Sequence, residues 1–199
     1  MSKVLVAFYG EIDGFPPTIN MLNSLEKMGF QVTTLSMDNP ALLKNYNEKV
    51  SFYQQKRTTK KNSNIFNRFS NLLDYVRFFW KFSRLKNEIN PKIILAYDPI
   101  AFVMGNLLFS RKRNILWYHN HDVMDLNKNS TMLQRIIQRI EMKSMRNLDF
   151  FTIPSKERIK YFNFNRFSGK IGVIPNYPSI KIYKEFFTNR EMNNDEFHI

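Results

Sequence analysis

Residues 3–36 read KVLVAFYGEIDGFPPTINMLNSLEKMGFQVTTLS. The first seven, KVLVAFY, form an unbroken apolar run of strand length, and GEIDGFPP after them has the composition of a loop. From Thr18 to Met28 the apolar residues Ile19, Leu22, Leu25 and Met28 recur at helical spacing. Pro17 suits a first helical turn, and Gly29 ends the helix. QVTTLS, rich in β-branched residues, is a second strand. Strand, helix and strand in so short a span make a βαβ unit, whose two strands must be parallel.

The alternation continues along the chain. Ile65–Ile89 is predicted as a long helix, broken by Asn90-Pro91 before the strand KIILAYD at 92–98. A short apolar helix is expected at 99–109, a buried strand NILWYH at 114–119 and a helix at 132–148. The strand DFFTIP at 149–154, a helix at 156–167 and the strand KIGVIP at 170–175 follow. VSFYQQ within 39–64 has strand character, and KRTTKKNSN after it reads as a basic loop. The fold class this implies is α/β, a Rossmann-like doubly wound parallel sheet with helices on both faces.

The 199 residues suit one domain and a fraction, and 43% are hydrophobic, as in an ordinary globular protein. There is no cysteine, which excludes disulfides, thiolate metal sites and a cysteine nucleophile. No apolar run reaches the roughly 20 residues of a spanning helix, and no signal peptide precedes the first strand, so a cytoplasmic location is expected. The net charge of +13 points to an anionic partner, namely nucleic acid, a phospholipid surface or a phosphorylated small molecule, or to a plain solvated basic surface.

Ligands of open parallel sheets bind beyond the carboxyl ends of the strands. The polar segments there contain Gly10, Glu11, Asp13 and Gly14; Tyr97 and Asp98; His119, Asn120, His121 and Asp122; Ser155 and Lys156; and Asn176. One site built from these loops is the simplest reading. The GxGxxG, GxxxxGK[ST] and GxSxG patterns are absent, which withdraws support from dinucleotide, P-loop and α/β-hydrolase chemistry. His119 and His121 are expected on opposite faces of their strand, with His119 packed inside, and a shared metal is therefore not expected. His121 is placed to orient a sugar hydroxyl, accept a proton or contact a phosphate, or else simply to cap its strand.

Taken in order, the motifs resemble the N-terminal half of a GT-B glycosyltransferase, in particular of the retaining family 4. The resemblance is carried by the 3–36 unit, LWYHNHD at 116–122, IEMKSMRNLDFFTIPSKERIKYF at 140–162 and VIPNYPS at 173–179. It implies two Rossmann-like domains facing a cleft. The first would bind the acceptor, and the second would hold a nucleotide-sugar donor through a Glu-x7-Glu signature. His121 then corresponds to the active-site histidine that contacts the transferred sugar. Gly14 corresponds to the first of two glycines near the donor phosphates, although Phe15 stands in place of the second. Asn176 falls at the interdomain hinge, and Glu141 and Asp149 match family positions that order helix packing. No metal and no cofactor are implied.

On this reading residues 1–180 are the acceptor-binding domain, and residues 181–199 are a linker or the start of a donor domain. The chain looks cut and is expected to be inactive alone. The acceptor would be a cell-surface glycan or a lipid-linked molecule. The alternative is a stand-alone half-transferase recruited to a membrane and paired with a separate catalytic chain. Nucleic acid is not an expected partner, since no RNP, KH or helix-turn-helix signature supports it.

The helix Ile65–Ile89 carries two apolar strips, one through Phe66, Phe69, Leu73, Val76 and Trp80 and one through Tyr75, Phe78, Phe82, Leu85 and Ile89. One should pack on the sheet. The other either meets an anionic membrane surface, a lipid-linked acceptor or a partner, or is buried beneath an adjacent loop.

Overall fold

The structure is a computed structural model, described here for residues 1–12, 16–37, 50–57, 65–121 and 132–175. Seven strands form one all-parallel sheet: β1 (Lys3–Phe8), β2 (Gln31–Met37), β3 (Val50–Gln55), β4 (Ile93–Ala96), β5 (Ile115–His119), β6 (Phe150–Ile153) and β7 (Lys170–Val173). Their order is β3-β2-β1-β4-β5-β6-β7. β1 is central, with Val4 opposite Val32 of β2 on one side and Ile93 of β4 on the other. Every residue from Val4 to Phe8 is buried, as a strand covered on both faces requires.

The handedness of parallel crossovers decides where the helices lie. From β1 the chain steps outward to β2, which puts α1 (Pro16–Lys27) on one face. After β3 it crosses back beyond β1 and moves only in the other direction. The helices α2 (Ile65–Ile89), α3 (Pro99–Leu108) and α4 (Met132–Ser144) therefore lie on the opposite face. The packing agrees. Leu22 and Leu25 of α1 share a core with Val4, Val6 and Tyr97. Phe78, Phe82 and Leu85 of α2 and Phe102 of α3 share another with Leu5, Ile94, Leu116 and Tyr118. α1 ends at Gly29, whose φ of +84° favours glycine; the Gly29 N–H donates to the Glu26 carbonyl and the Phe30 N–H to that of Leu25.

Two helix expectations are corrected. The helix expected at 156–167 is only a 3-10 segment, Lys156–Tyr161. Beyond it Asn163 Oδ1 accepts from the Asn165 N–H, a local turn that competes with helix, while Phe162 and Phe164 pack against Phe151. α4 stops at Ser144, and a 3-10 turn at Met145–Asn147 replaces its expected last turn. VSFYQQ is a strand, β3. One strip of α2 is core, with Phe78 and Phe82 fully buried. The other is exposed at Leu73, Val76 and Trp80, so the reading that buried both is set aside.

Candidate functional site

The strand order reverses between β1 and β4, and the tips of those strands and of β5 stand side by side. His121 follows β5 and is buried. Its Nε2 lies 3.2 Å from Oγ1 of Thr18, in the first turn of α1. The Tyr97 ring stacks on the imidazole at a centroid separation of 4.9 Å, and Phe8 meets it edge-on at 6.4 Å. From the other side, Arg158 Nη1 donates to the His121 carbonyl at 2.6 Å. The turn after β5 is thus tied both to α1 and to the segment after β6.

The expectation that His119 and His121 point to opposite faces is wrong. Residues two apart in a strand share a face, and their rings meet edge-to-face at 4.7 Å. Tyr118 and Asn120 take the other face: Asn120 Nδ2 donates to Tyr118 Oη, which donates to the buried Glu141 Oε1, each at 2.6 Å. Burial raises Glu141 to about 7. His119 does pack inside, with Nδ1 2.8 Å from Thr152 Oγ1, which also accepts from Trp117 Nε1. Burial first, and then His121, lower His119 to about 3, so it is neutral at physiological pH. Among the described residues no three His, Cys, Asp or Glu side chains gather as a metal set would.

Asp98 is engaged by backbone. Its carboxylate accepts from the N–H groups of Ile100 and Ala101 at the start of α3, and from Tyr9 N–H at 2.5 Å. It is the N-cap of α3 and also pins the tip of β1. Burial outweighs these three donors and lifts it to about 6. Tyr97 is buried beneath His121, and its Oη has no hydrogen-bond partner among the described residues. Gly10 sits under the Phe8 ring, and its carbonyl accepts from Met37 N–H. Glu11 and Lys156 are exposed, and Ser155 is half-buried at the head of the 3-10 segment. Asp13, Gly14, Phe15, Asp122 and Asn176 lie outside the described residues, as does the segment 181–199.

Thr18, placed in the sequence only as part of a helix start, and Arg158, singled out by no motif, are the additions the structure makes around His121. Arg158 was detectable only as a cation one turn after a strand. A cavity of about 380 Å³ opens between α1 and the sheet, lined by Pro17, Met21, Ser24, Phe30, Trp117 and His119. It runs along the sheet face from Met28 and Phe30 up to Pro17, His119 and Pro175 at the strand tips, so that His119 belongs both to the rim and to this cavity.

The profile of Glycosyltransferase Family 4 matches residues 18–177. The chain belongs to glycosyltransferase family 4. Among curated proteins, no sequence matches it. Among solved structures, the family 4 chain is similar to HepE of Anabaena, described in complex with UDP, with a TM-score of 0.60 at 16% identity over 92% of this chain and 46% of that one. It is also similar to the sucrose-phosphate synthase of Thermosynechococcus elongatus, with a TM-score of 0.59 at 12% identity over 94% of this chain and 53% of that one. A third is UGT73P12 of Glycyrrhiza uralensis, complexed with glycyrrhetinic acid 3-O-monoglucuronide, with a TM-score of 0.60 at 9% identity over 87% and 48%. The chain spans about half the length of each. At these identities the likeness establishes the fold, an N-terminal GT-B domain.

Proposed function

We propose that this chain forms the acceptor-side wall of a glycosyltransferase that moves a sugar from a nucleotide-sugar donor to a cell-surface glycan or a lipid-linked acceptor. A second Rossmann-like domain would supply most of the donor site. The observation that carries the proposal is the seating of His121 on Thr18 at the point where the strand order reverses.

In such a transfer the acceptor oxygen bonds to the anomeric carbon while the bond from that carbon to the diphosphate breaks. The diphosphate leaves with the electron pair. Stabilising that anion and fixing the acceptor hydroxyl are the tasks left to the protein. The start of α1 carries no acidic residue in its first turn, and although Pro16 and Pro17 have no N–H to donate, the positive end of the helix dipole there favours an anion nearby. His121, held by Thr18 and stacked on Tyr97, has the fixed orientation needed to meet a sugar hydroxyl. Asp13, Gly14, Phe15, Asp122, Ser155, Lys156 and Asn176 are proposed to line the same mouth. Should the polypeptide stop at Ile199, a separate chain would have to complete the cleft.

The test is transfer of radiolabelled sugar from a panel of nucleotide sugars into glycan and lipid-extractable material. It is run on the chain alone and on the chain extended through any residues that follow, each as wild type and as His121→Ala. The reading requires transfer by the extended protein, none by the chain alone, and a loss of about a hundredfold or more in the variant. Transfer indifferent to His121 would overturn it.

A further inference from the structure

The exposed strip of α2 is a coherent surface. At about 100° per residue, Leu72, Val76, Trp80 and Leu73 occupy one sector of roughly 100° on the side away from Phe78, Phe82 and Leu85. They are 55%, 46%, 71% and 51% exposed, so the largest aromatic side chain of the helix is mostly in solvent. Arg77 and Arg84 border the sector, with side chains 54% and 78% exposed, and pair within the helix with Asp74 at 4.0 Å and Glu88 at 2.6 Å, leaving exposed guanidinium groups that a lipid phosphate can reach. α4 lies on the same side of the sheet and repeats the pattern. Met132, Ile136 and Ile140 are exposed, and the exposed Arg135, Arg139 and Lys143 lie beside them.

Charge selects the occupant. Across α2 and α4 there are eight Lys/Arg against three Asp/Glu, a net +5 of the chain's +13. A second copy of the same face would bring like charges together, and a protein partner would need a matching acidic surface. Aliphatic and tryptophan side chains beside arginines on a helix that cannot cross a membrane are the composition of an interfacial helix on anionic lipid. The long arginine and lysine stems can reach phosphates while the apolar side chains enter the acyl boundary. Both helices follow strands, so both begin at the carboxyl-end rim where His121 lies.

We propose that the outer faces of α2 and α4 seat this chain on an anionic phospholipid bilayer. The inference stands on these helix faces and holds whether or not the chain takes part in sugar transfer.

The two tryptophans make the test direct, because Trp80 is on the α2 face and Trp117 is on the α1 face. The purified chain is mixed with phosphatidylcholine vesicles with and without phosphatidylglycerol. Cosedimentation should be at least tenfold stronger with phosphatidylglycerol and should weaken with added salt. Lipids brominated in the acyl chain should quench Trp80, read in the Trp117→Phe variant, and leave Trp117, read in Trp80→Phe, unquenched. The uncharged triple variant Leu73→Gln/Val76→Gln/Trp80→Gln should bind at least tenfold more weakly with an unchanged circular dichroism spectrum. If that variant misfolds, the quenching contrast between the two tryptophans decides alone. Absence of vesicle binding at low salt would overturn the proposal. So would equal binding by the folded triple variant, quenching of Trp117 in place of Trp80, or self-association that these substitutions abolish without any vesicle binding.

Discussion

His121 Nε2 lies 3.2 Å from Thr18 Oγ1, so that two residues 103 positions apart in the chain join the tip of β5 to the first turn of α1. Both are buried. Thr18→Val keeps the volume and deletes the partner of Nε2. We expect it to cost about 1–2 kcal/mol of stability and, under the proposed function and in the extended protein only, to lower sugar transfer by about tenfold through kcat, while Thr18→Ser restores both. Equilibrium denaturation and steady-state kinetics on the same preparations check this.

Asp98 is expected to matter for folding more than for ligand contact. Asp98→Ala leaves the N–H groups of Tyr9, Ile100 and Ala101 without their acceptor. The loss should be about 2–4 kcal/mol, more than an exposed cap would give, because the carboxylate also holds the tip of β1. Asp98→Asn, which keeps one acceptor oxygen, should fall between the two. Urea denaturation measures the series.

Glu141 makes stability depend on pH in a particular direction. Its folded pKa, about 7, lies above the ordinary 4.5 because burial disfavours the charge. The folded state therefore binds the extra proton between these values, and stability is fully present below pH 4.5 and lost as pH rises through 7. Glu141→Gln can still accept from Tyr118 and carries no charge. It should match the wild type near pH 5 and exceed it by about 3 kcal/mol near pH 8. Thermal melts across that range would reveal parallel profiles if the assignment were mistaken.

His119 has the opposite sign. Its pKa falls from 6.5 to about 3, so its contribution is present above 6.5 and is lost as pH drops toward 3. In a proton NMR titration between pH 5 and 8 the His119 ring resonances should stay fixed.

Gly169 precedes β7, and its Cα faces backbone. A Cβ there would sit 2.5 Å from the Asp149 carbonyl oxygen and 2.7 Å from that of Leu148. Gly169→Ala should destabilise by about 2 kcal/mol or more, with the shift visible in the midpoint of chemical denaturation.

Much of the sheet was legible because its central strands are buried on both faces and so appear as unbroken apolar runs, VLVAF in β1 and ILA in β4. The limits of α2 were legible too, since Asn90, at φ 49°, and Pro91 end it. Two of the departures come from side-chain bonding that spacing cannot express. Asn163 turns its own backbone, which stopped the helix expected through Phe167. Around His121, the strand tips were found from topology. The bonds to Thr18 and Arg158 were not, because neither partner lies within a motif containing the histidine. The face shared by His119 and His121 follows from strand periodicity alone, contrary to the expectation.

Because β1 is paired on both edges, to β2 and to β4, the order in which the polypeptide leaves the ribosome matters. Once residues through Gln55 have emerged, β1, β2 and β3 can pair, yet the other edge of β1 stays bare until Ile93–Ala96 follow. During that interval a strand with five successive apolar residues offers an open row of backbone donors and acceptors to any neighbouring nascent chain. Slow translation across α2 would prolong the exposure and raise the yield of aggregates, while a holdase chaperone acting on that edge would lower it.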